Sequence, residues 1–230
     1  MAPNKLFGVK SIESRAREFY NSEKTGRLRK FDHPVVKAHV TDKLNFIKKN
    51  IKFSKKTKVL EVGAGNGYFS YYLADFCDLL VTDINRETLL LNPVKKKMIA
   101  DANKLPFKDD SFDVVMCFDV LHHVDNPEKV VKELNRVSRK YVILVEPNSE
   151  NFIYTLIFLF IPREWGSIKF TTKYFKNLIC GNNLKILKFK HVGRFTTPNI
   201  PLPFSLVKRF PYSSSPQLNF HNIAICEKIA

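Results

Sequence analysis

Three glycines at alternating positions follow the short apolar run VLEV, in the pattern Glu61-x-Gly63-x-Gly65-x-Gly67. Glycines leave backbone N–H groups uncovered where a strand passes into a helix, and the positive end of that helix attracts a ligand further. The dinucleotide fingerprint G-x-G-x-x-G would need a third glycine at residue 68, which is Tyr68. The turn therefore predicts a cofactor site other than that fingerprint, with tight strand–helix packing as the alternative.

Two acidic residues end the apolar runs that follow. Asp83 ends DLLVTD and Asp101 ends KKMIAD. In a doubly wound sheet both emerge on the edge that carries the glycine turn. A carboxylate at Asp83 can accept both hydroxyls of a ribose, and one at Asp101 can accept a hydrogen bond from the adenine amino group. Each acid alone is typical of a strand-end cap, but their sequential order predicts an adenosine.

Two adjacent histidines, His122 and His123, follow the fourth predicted strand. Either imidazole can take a proton from a substrate hydroxyl, amine or acidic carbon, so both are candidate catalytic bases, with a positioning role as the alternative. Tyr20 and His33 precede the sheet and are candidate substrate contacts or ordinary helix residues. Asp119 is the remaining acid near the fourth strand end, and no further ligands accompany it, so we expect no metal.

The elements that would position these residues fall into two parts. Residues 1–56 are predicted as an N-terminal helical extension or lid, because apolar residues recur there at helical spacing. Residues 57–230 alternate short apolar runs with amphipathic segments, which predicts a parallel sheet covered by helices on both faces. The apolar residues of the helical stripe are Val36, Val40, Leu44 and Ile47.

Composition is that of a globular protein, with 44% apolar residues in a chain of 230. The formal net charge is +16, and the basic excess lies in residues 1–58 and 151–230, whereas residues 59–150 are slightly acidic. Basic flanks can attract RNA, an anionic membrane or an anionic substrate, or form a solvated surface. The first residues lack a signal-peptide pattern, which predicts a cytoplasmic protein.

The segment Phe152–Ile161, FIYTLIFLFI, is an uncharged run. As a helix it would cover about 15 Å, too little to span a hydrocarbon core of about 30 Å. It predicts a buried segment or the wall of an apolar substrate pocket. Shallow insertion into a membrane face, with peripheral association, is the alternative.

The ordered set VLEVGAGNGYFS, VTDIN and ADANKLPFKDDSFDVVMCFDVLHHVDNPEKVVKEL resembles the class I S-adenosylmethionine-dependent methyltransferases, specifically the broad group that includes ubiquinone and menaquinone biosynthesis methyltransferases. The resemblance is strong over about residues 57–147. It implies an α/β, Rossmann-like, doubly wound three-layer sandwich whose seven-stranded sheet is mostly parallel with an antiparallel last strand. Residues 221–228 fit that last strand.

The resemblance also implies which residues meet S-adenosylmethionine. Glu61 would support the methionine amino end, Asp83 would bind the ribose hydroxyls, and Asp101 with Ala102 would meet the adenine. The whole set is Glu61, Gly63, Ala64, Gly65, Gly67, Asp83, Ile84, Asp101, Ala102, Cys117 and Phe118. The cofactor is a cationic sulfonium without a pyrophosphate, which agrees with an acidic residue beside a shifted glycine spacing.

The methyl acceptor is predicted to be a small or lipid-like molecule, because of the group resembled and the apolar segment at residues 152–161. The alternative is an RNA methyltransferase that uses the basic flanks. The fourth strand here ends in Cys117-Phe118-Asp119-Val120, which lacks the Pro-Pro-Tyr motif of base-amine methyltransferases. A non-catalytic binding protein with this fold is a third, less favoured interpretation.

Overall fold

The computed structural model describes residues 11–15, 18, 28–193 and 215–229. The strands are β1 (Lys58–Val62), β2 (Asp78–Asp83), β3 (Lys97–Ile99), β4 (Phe112–Phe118), β5 (Ser138–Pro147), β6 (Leu184–Val192) and β7 (His221–Lys228). The α-helices are α1 (Pro34–Asn50), α2 (Tyr68–Leu73), α3 (Arg86–Leu90), α4 (Pro127–Val137), α5 (Phe152–Leu159) and α6 (Thr172–Cys180). Short 3-10 helices cover Leu121–His123, Pro162–Lys169 and Pro216–Leu218.

The seven strands form one sheet in the order β3-β2-β1-β4-β5-β7-β6. Six strands run parallel, and β7 runs antiparallel between β5 and β6. This confirms the predicted seven-stranded, Rossmann-like doubly wound class. The strand order reverses between β1 and β4, and such a switch point opens a crevice at the carboxyl ends of the strands. The glycine turn that follows β1 lies at this edge.

Both faces of the sheet are buried, which explains why the strands have continuous apolar runs. Along β4, Val114, Met116 and Phe118 face one core cluster, whereas Val115 and Cys117 face the other. This alternation follows from the period of two along a strand. Helices α1 and α2 cover the first face, and α4 and α6 cover the second.

Helix α1 packs against the sheet. Its residues Val36, Val40, Leu44 and Ile47 are all buried in the first core cluster, as their spacing predicts. His33 is its N-cap and accepts a hydrogen bond from the Val35 N–H through Nδ1, at 3.2 Å. Lid movement of residues 1–56 stays a prediction.

Candidate active site

The glycine turn joins β1 to α2 at the switch point of the sheet. The N–H groups of Gly63 and Ala64 both donate to the Thr82 carbonyl, at 2.8 and 2.9 Å, which ties the turn to β2. A Cβ on Gly63 would lie 2.2 Å from Val120, whereas one on Gly65 would meet nothing nearer than Asp83 Oδ2 at 4.0 Å. Gly63 is therefore needed for packing, and the space beside Gly65 is open to a ligand.

Asp83 faces this open space from the end of β2. Its Oδ2 accepts a hydrogen bond from the Gly65 N–H at 2.8 Å, and its Oδ1 accepts one from the Asn85 N–H at 2.8 Å. Burial raises the pKa of the Asp83 carboxyl, and the backbone N–H groups of Asn85, Gly65 and Ile84 oppose that rise. The carboxylate is thus fixed in direction beside the glycine turn, as ribose recognition requires.

Glu61 is buried beneath the turn. Ser70 donates a hydrogen bond to its Oε2 at 2.6 Å, and Asn92 Nδ2 donates to Ser70 Oγ at 2.9 Å. Burial raises the pKa of Glu61 to about 8. Ser70 and Asn92 were not predicted from the sequence. Ser70 lies nine residues after Glu61, in the first turn of α2, and this helix begins directly after the glycine turn.

The other predicted cofactor residues lie along the same edge. Asp101 follows β3, and its Oδ1 accepts a hydrogen bond from the Asn103 N–H at 2.8 Å. Ile84 is exposed, Ala102 is half-buried, and Cys117 and Phe118 are buried at the end of β4. The strand ends thus lie side by side, while each residue's contact with the cofactor stays a prediction.

His122 is enclosed by two carboxylates. Its Nδ1 lies 2.7 Å from Glu146 Oε2, and its Nε2 lies 3.4 Å from Glu164 Oε2. Burial alone would lower the pKa of His122, but Glu146 and Glu164 raise it to about 10. A buried imidazolium already holds its proton, so this geometry favours a structural role for His122.

His123 has the opposite character. Burial and the charge of His122 lower its pKa to about 3, so the imidazole is neutral. Its ring centre lies 3.8 Å from that of His122. A catalytic role for either histidine stays a prediction. Of the two predicted substrate contacts, Tyr20 lies outside the described residues, and His33 caps α1.

A second group of polar residues at the carboxyl edge consists of His39, Asp119 and His221. Their proximity was not predicted from the sequence. Asp119 follows β4, His39 comes from α1, and His221 begins β7. Because β7 is antiparallel, its first residue lies at the edge where the parallel strands end, and His221 pairs with Pro147. These three residues, and separately His122, His123 and Glu164, lie close enough together to hold a metal ion. The expectation of no metal stays a prediction.

The fold is the one that S-adenosylmethionine-dependent methyltransferases of known structure have, and it agrees with the class that the motifs predicted. Residues 60–145 match the family profile described as a methyltransferase domain. Magnesium protoporphyrin IX methyltransferase from Synechocystis, solved with S-adenosylmethionine bound, has the same fold, with a TM-score of 0.63 and 14% identity over 96% of this chain and 99% of that chain.

Curated relatives match only part of the chain. An uncharacterized protein of Methanocaldococcus jannaschii is 32% identical over 122 residues, which are 52% of this chain and 53% of that protein. A phosphatidylethanolamine N-methyltransferase of Cereibacter sphaeroides is 37% identical over 93 residues, which are 36% of this chain and 46% of that protein. The chain therefore spans about half the length of the curated relatives it matches.

The residues at the turn fit the cofactor of this class, S-adenosylmethionine. Open space lies in front of Gly65, beside a carboxylate whose direction two backbone N–H groups fix. Burial raises the pKa of the Glu61 and Asp83 carboxyls, and a cationic ligand would favour their ionised forms, so these acids suit such a ligand better than a phosphate.

Proposed function

We propose that this protein transfers the methyl group of S-adenosylmethionine to a lipid-like acceptor that it reaches at an anionic membrane surface. The observation that carries the proposal is the exposed apolar side of α5, next to the carboxyl edge of the sheet. The exposed residues of that side are Phe152, Ile153, Leu156, Leu159 and Phe160. They recur at intervals of three and four residues, which places them on one face of the helix.

The exposure of this face is large. Phe152 is 73% exposed and Phe160 is 82% exposed, whereas Tyr154 and Phe158 on the opposite side are buried. Trp165 is also exposed and donates a hydrogen bond to the Leu159 carbonyl at 3.1 Å. A short helix with an apolar outer face followed by Trp suits the membrane interface. Among the described residues, no helix is long and apolar enough to cross a bilayer.

Helix α5 adjoins the candidate active site through its buried side, opposite the exposed apolar face. The Tyr154 ring lies 6.5 Å from the ring of His221, between centres. Glu164 follows α5 in the chain, and its Oε2 lies 3.4 Å from Nε2 of His122, which follows β4. Helix α5 thus lies close to the carboxyl edge, where the methyl group is expected, so an acceptor anchored on its exposed face would be held near that edge.

When bound, S-adenosylmethionine supplies an electrophilic methyl group on a sulfonium. The chain's own part is chiefly positioning, since alignment of the reacting atoms accounts for much of the rate of such displacements. Asp83 and the glycine turn hold the adenosyl end. Phe69 and Phe118, with ring centres 4.4 Å apart, form an apolar wall beside the turn. The relative described as a phosphatidylethanolamine N-methyltransferase supports a lipid acceptor.

Calorimetry with S-adenosylmethionine, followed by methyl transfer to fractionated lipid and RNA, tests the proposal. Cofactor binding with transfer to the lipid fraction supports it. Transfer to RNA alone would establish the alternative acceptor, which the basic flanks favour, and salt-sensitive RNA binding would accompany it. Cofactor binding without any transfer would indicate a binding protein, and absence of binding would refute the activity.

The double substitution Phe152→Ser and Phe160→Ser is expected to lower the fraction of protein that floats with anionic phosphatidylglycerol vesicles by about tenfold, because each exposed ring contributes over 1 kcal/mol on burial in the interface. The measurement is a flotation assay at constant salt. The control is Leu90→Ser with Leu91→Ser, which removes exposed apolar residues near the far sheet edge. Equal loss in both double variants would contradict the role of α5.

A further inference from the structure

Asp119 is the part of the second polar group that solvent reaches, with 28% of its side chain exposed. Its backbone lies in the left-handed region with φ of 56°, which Asp tolerates better than most residues. The Asp119 N–H donates to the Val145 carbonyl at 2.8 Å. The residue is thus held at the end of the sheet, with its carboxylate over the carboxyl edge.

Two buried histidines, His221 and His39, lie next to the Asp119 carboxylate. Asp119 Oδ1 lies 3.4 Å from His221 Nε2, and Oδ2 lies 3.8 Å from His39 Nε2. Lys43 is buried one helical turn after His39, and its ammonium donates to the His39 carbonyl at 2.9 Å. Asp119 Oδ1 accepts no aligned hydrogen bond from the described part of the chain. Oδ1 is itself buried, so the exposed 28% of the side chain, which excludes Oδ1, is the part that a ligand can approach.

The neighbours of Asp119 in this group leave its carboxyl ionised. Burial alone would raise the pKa of Asp119, but His221, Lys43 and His39 hold it well below its usual range. Burial lowers the pKa of His221, with Lys43 adding to the effect, so the imidazole is neutral at pH 7. An ionised carboxylate of such low basicity is a poor proton acceptor, but it attracts a cation.

The group lies between the cofactor turn and the apolar helix. On one side, the His39 ring is 5.4 Å from that of Phe69, in the helix that follows the glycine turn. On the other side, the His221 ring faces Tyr154 of α5. Tyr154 is on the buried side of α5, so Asp119 lies between this helix and the expected methyl group, within reach of the polar head of an acceptor anchored on α5.

We propose that Asp119, supported by His39 and His221, binds the positively charged nitrogen of a methyl acceptor that carries an amine. The inference rests on the proposed function and narrows its acceptor to an amine. In the reaction the ammonium first loses one proton to water. Its lone pair then forms the N–C bond as the S–C bond breaks. S-adenosylhomocysteine leaves, and the positive charge remains on the methylated nitrogen, within the field of Asp119.

A divalent cation is the competing ligand, since two imidazoles and a carboxylate can coordinate one. Lys43 disfavours it. Burial lowers the pKa of Lys43 to about 8, so the ammonium is still mostly protonated at pH 7. Its positive charge next to His39 would repel a dication more strongly than a singly charged ammonium.

The test compares octylamine with octanol, two probes that differ only in the charged group, by calorimetric titration of the whole chain without cofactor. The native protein is expected to bind octylamine at least about tenfold more tightly than octanol, as one partly buried ion pair would give. Asp119→Asn should abolish this preference and leave octanol affinity unchanged. Asp110→Asn is the matched control, because Asp110 has the same left-handed backbone, with φ of 55°, and is exposed.

A retained preference for octylamine in Asp119→Asn would overturn the inference, as would equal binding of both probes by the native protein. Binding of Zn²⁺ or Mg²⁺ that Asp119→Asn removes, without amine preference, would replace it by a metal site. These titrations need no cofactor, so they are separate from the proposed activity. If the native chain fails to bind S-adenosylmethionine in a parallel titration, the proposed function fails by itself.

Discussion

Replacement of Asp83 by asparagine is expected to weaken binding of S-adenosylhomocysteine, a cofactor analogue, by about 100-fold, because two hydrogen bonds to a charged carboxylate are worth about 1.5–3 kcal/mol each. Asn keeps the size of the side chain but has one oxygen instead of two. It therefore cannot hold both the Gly65 and Asn85 N–H groups, at 2.8 Å each, and also accept the ribose hydroxyls. Calorimetric titration at constant pH and salt gives the affinity directly.

Asp78→Asn is the matched control for that experiment. Asp78 begins the same strand and pairs with Lys96 at the opposite end of the sheet. The substitution removes the same charge, so long-range electrostatics change similarly while the turn is intact. Affinity in Asp83→Asn within threefold of that in Asp78→Asn would show that the β2 carboxylate does not bind the ribose.

The position of the glycine turn and Asp83 at one edge of the sheet was predictable because the signals are local in the sequence. Glycines after a strand, and Asp83 at the end of the next one, need only the rule that parallel strands end at the same edge. The helical spacing of Val36, Val40, Leu44 and Ile47 likewise predicted the buried side of α1, which the structure shows in the core. Periodicity and strand ends therefore gave most of the fold.

The group around Asp119 needed information that local patterns lack. His39 lies beside the apolar stripe of α1, where spacing alone does not indicate a polar contact. His221 begins a strand whose antiparallel direction the resemblance had implied. Combining that direction with the strand register, in which His221 pairs with Pro147, would have placed the imidazole at the carboxyl edge. The position of His221 at this edge was therefore predictable from the sequence.

Two other features depended on tertiary contacts that no spacing indicates. Glu146 lies near the end of β5 and accepts hydrogen bonds from the Leu121 N–H at 2.7 Å and from the ring of His122. The histidine pair was predicted as a base because it follows the fourth strand, and the carboxylates that enclose it come from distant segments. For α5, the predicted buried segment is half correct, since Tyr154 is buried and Phe152 is exposed.

Glu146→Gln is expected to lower the free energy of unfolding by about 3 kcal/mol near pH 6.5, because it leaves the buried His122 imidazolium with one of its two carboxylates. Glu146 is fully buried and also accepts the Val120 N–H at 3.0 Å. Urea denaturation followed by circular dichroism measures the loss. Glu133→Gln is the control, since Glu133 pairs with Arg136 in a partly exposed position, with 19% and 31% of the two side chains exposed, and its loss should be smaller, about 1 kcal/mol.

The same pair of variants tests the charge of His122 through pH. Its pKa is about 10 in the folded protein against an ordinary value of 6.5, so the folded state binds a proton that the unfolded state releases between these values. This contribution to stability is complete below pH 6.5 and is lost as pH rises towards 10. The native chain and Glu133→Gln should therefore lose stability over that window, whereas Glu146→Gln should lose less.

Equal pH slopes in all three proteins would mean that His122 is neutral when folded, and it would then again be a candidate base beside His123. A smaller slope in Glu146→Gln, together with its low stability, would instead assign the His122 proton to a structural ion pair that joins β4 to β5. Transfer chemistry at this edge would then depend on positioning, with the acceptor's own proton leaving to water.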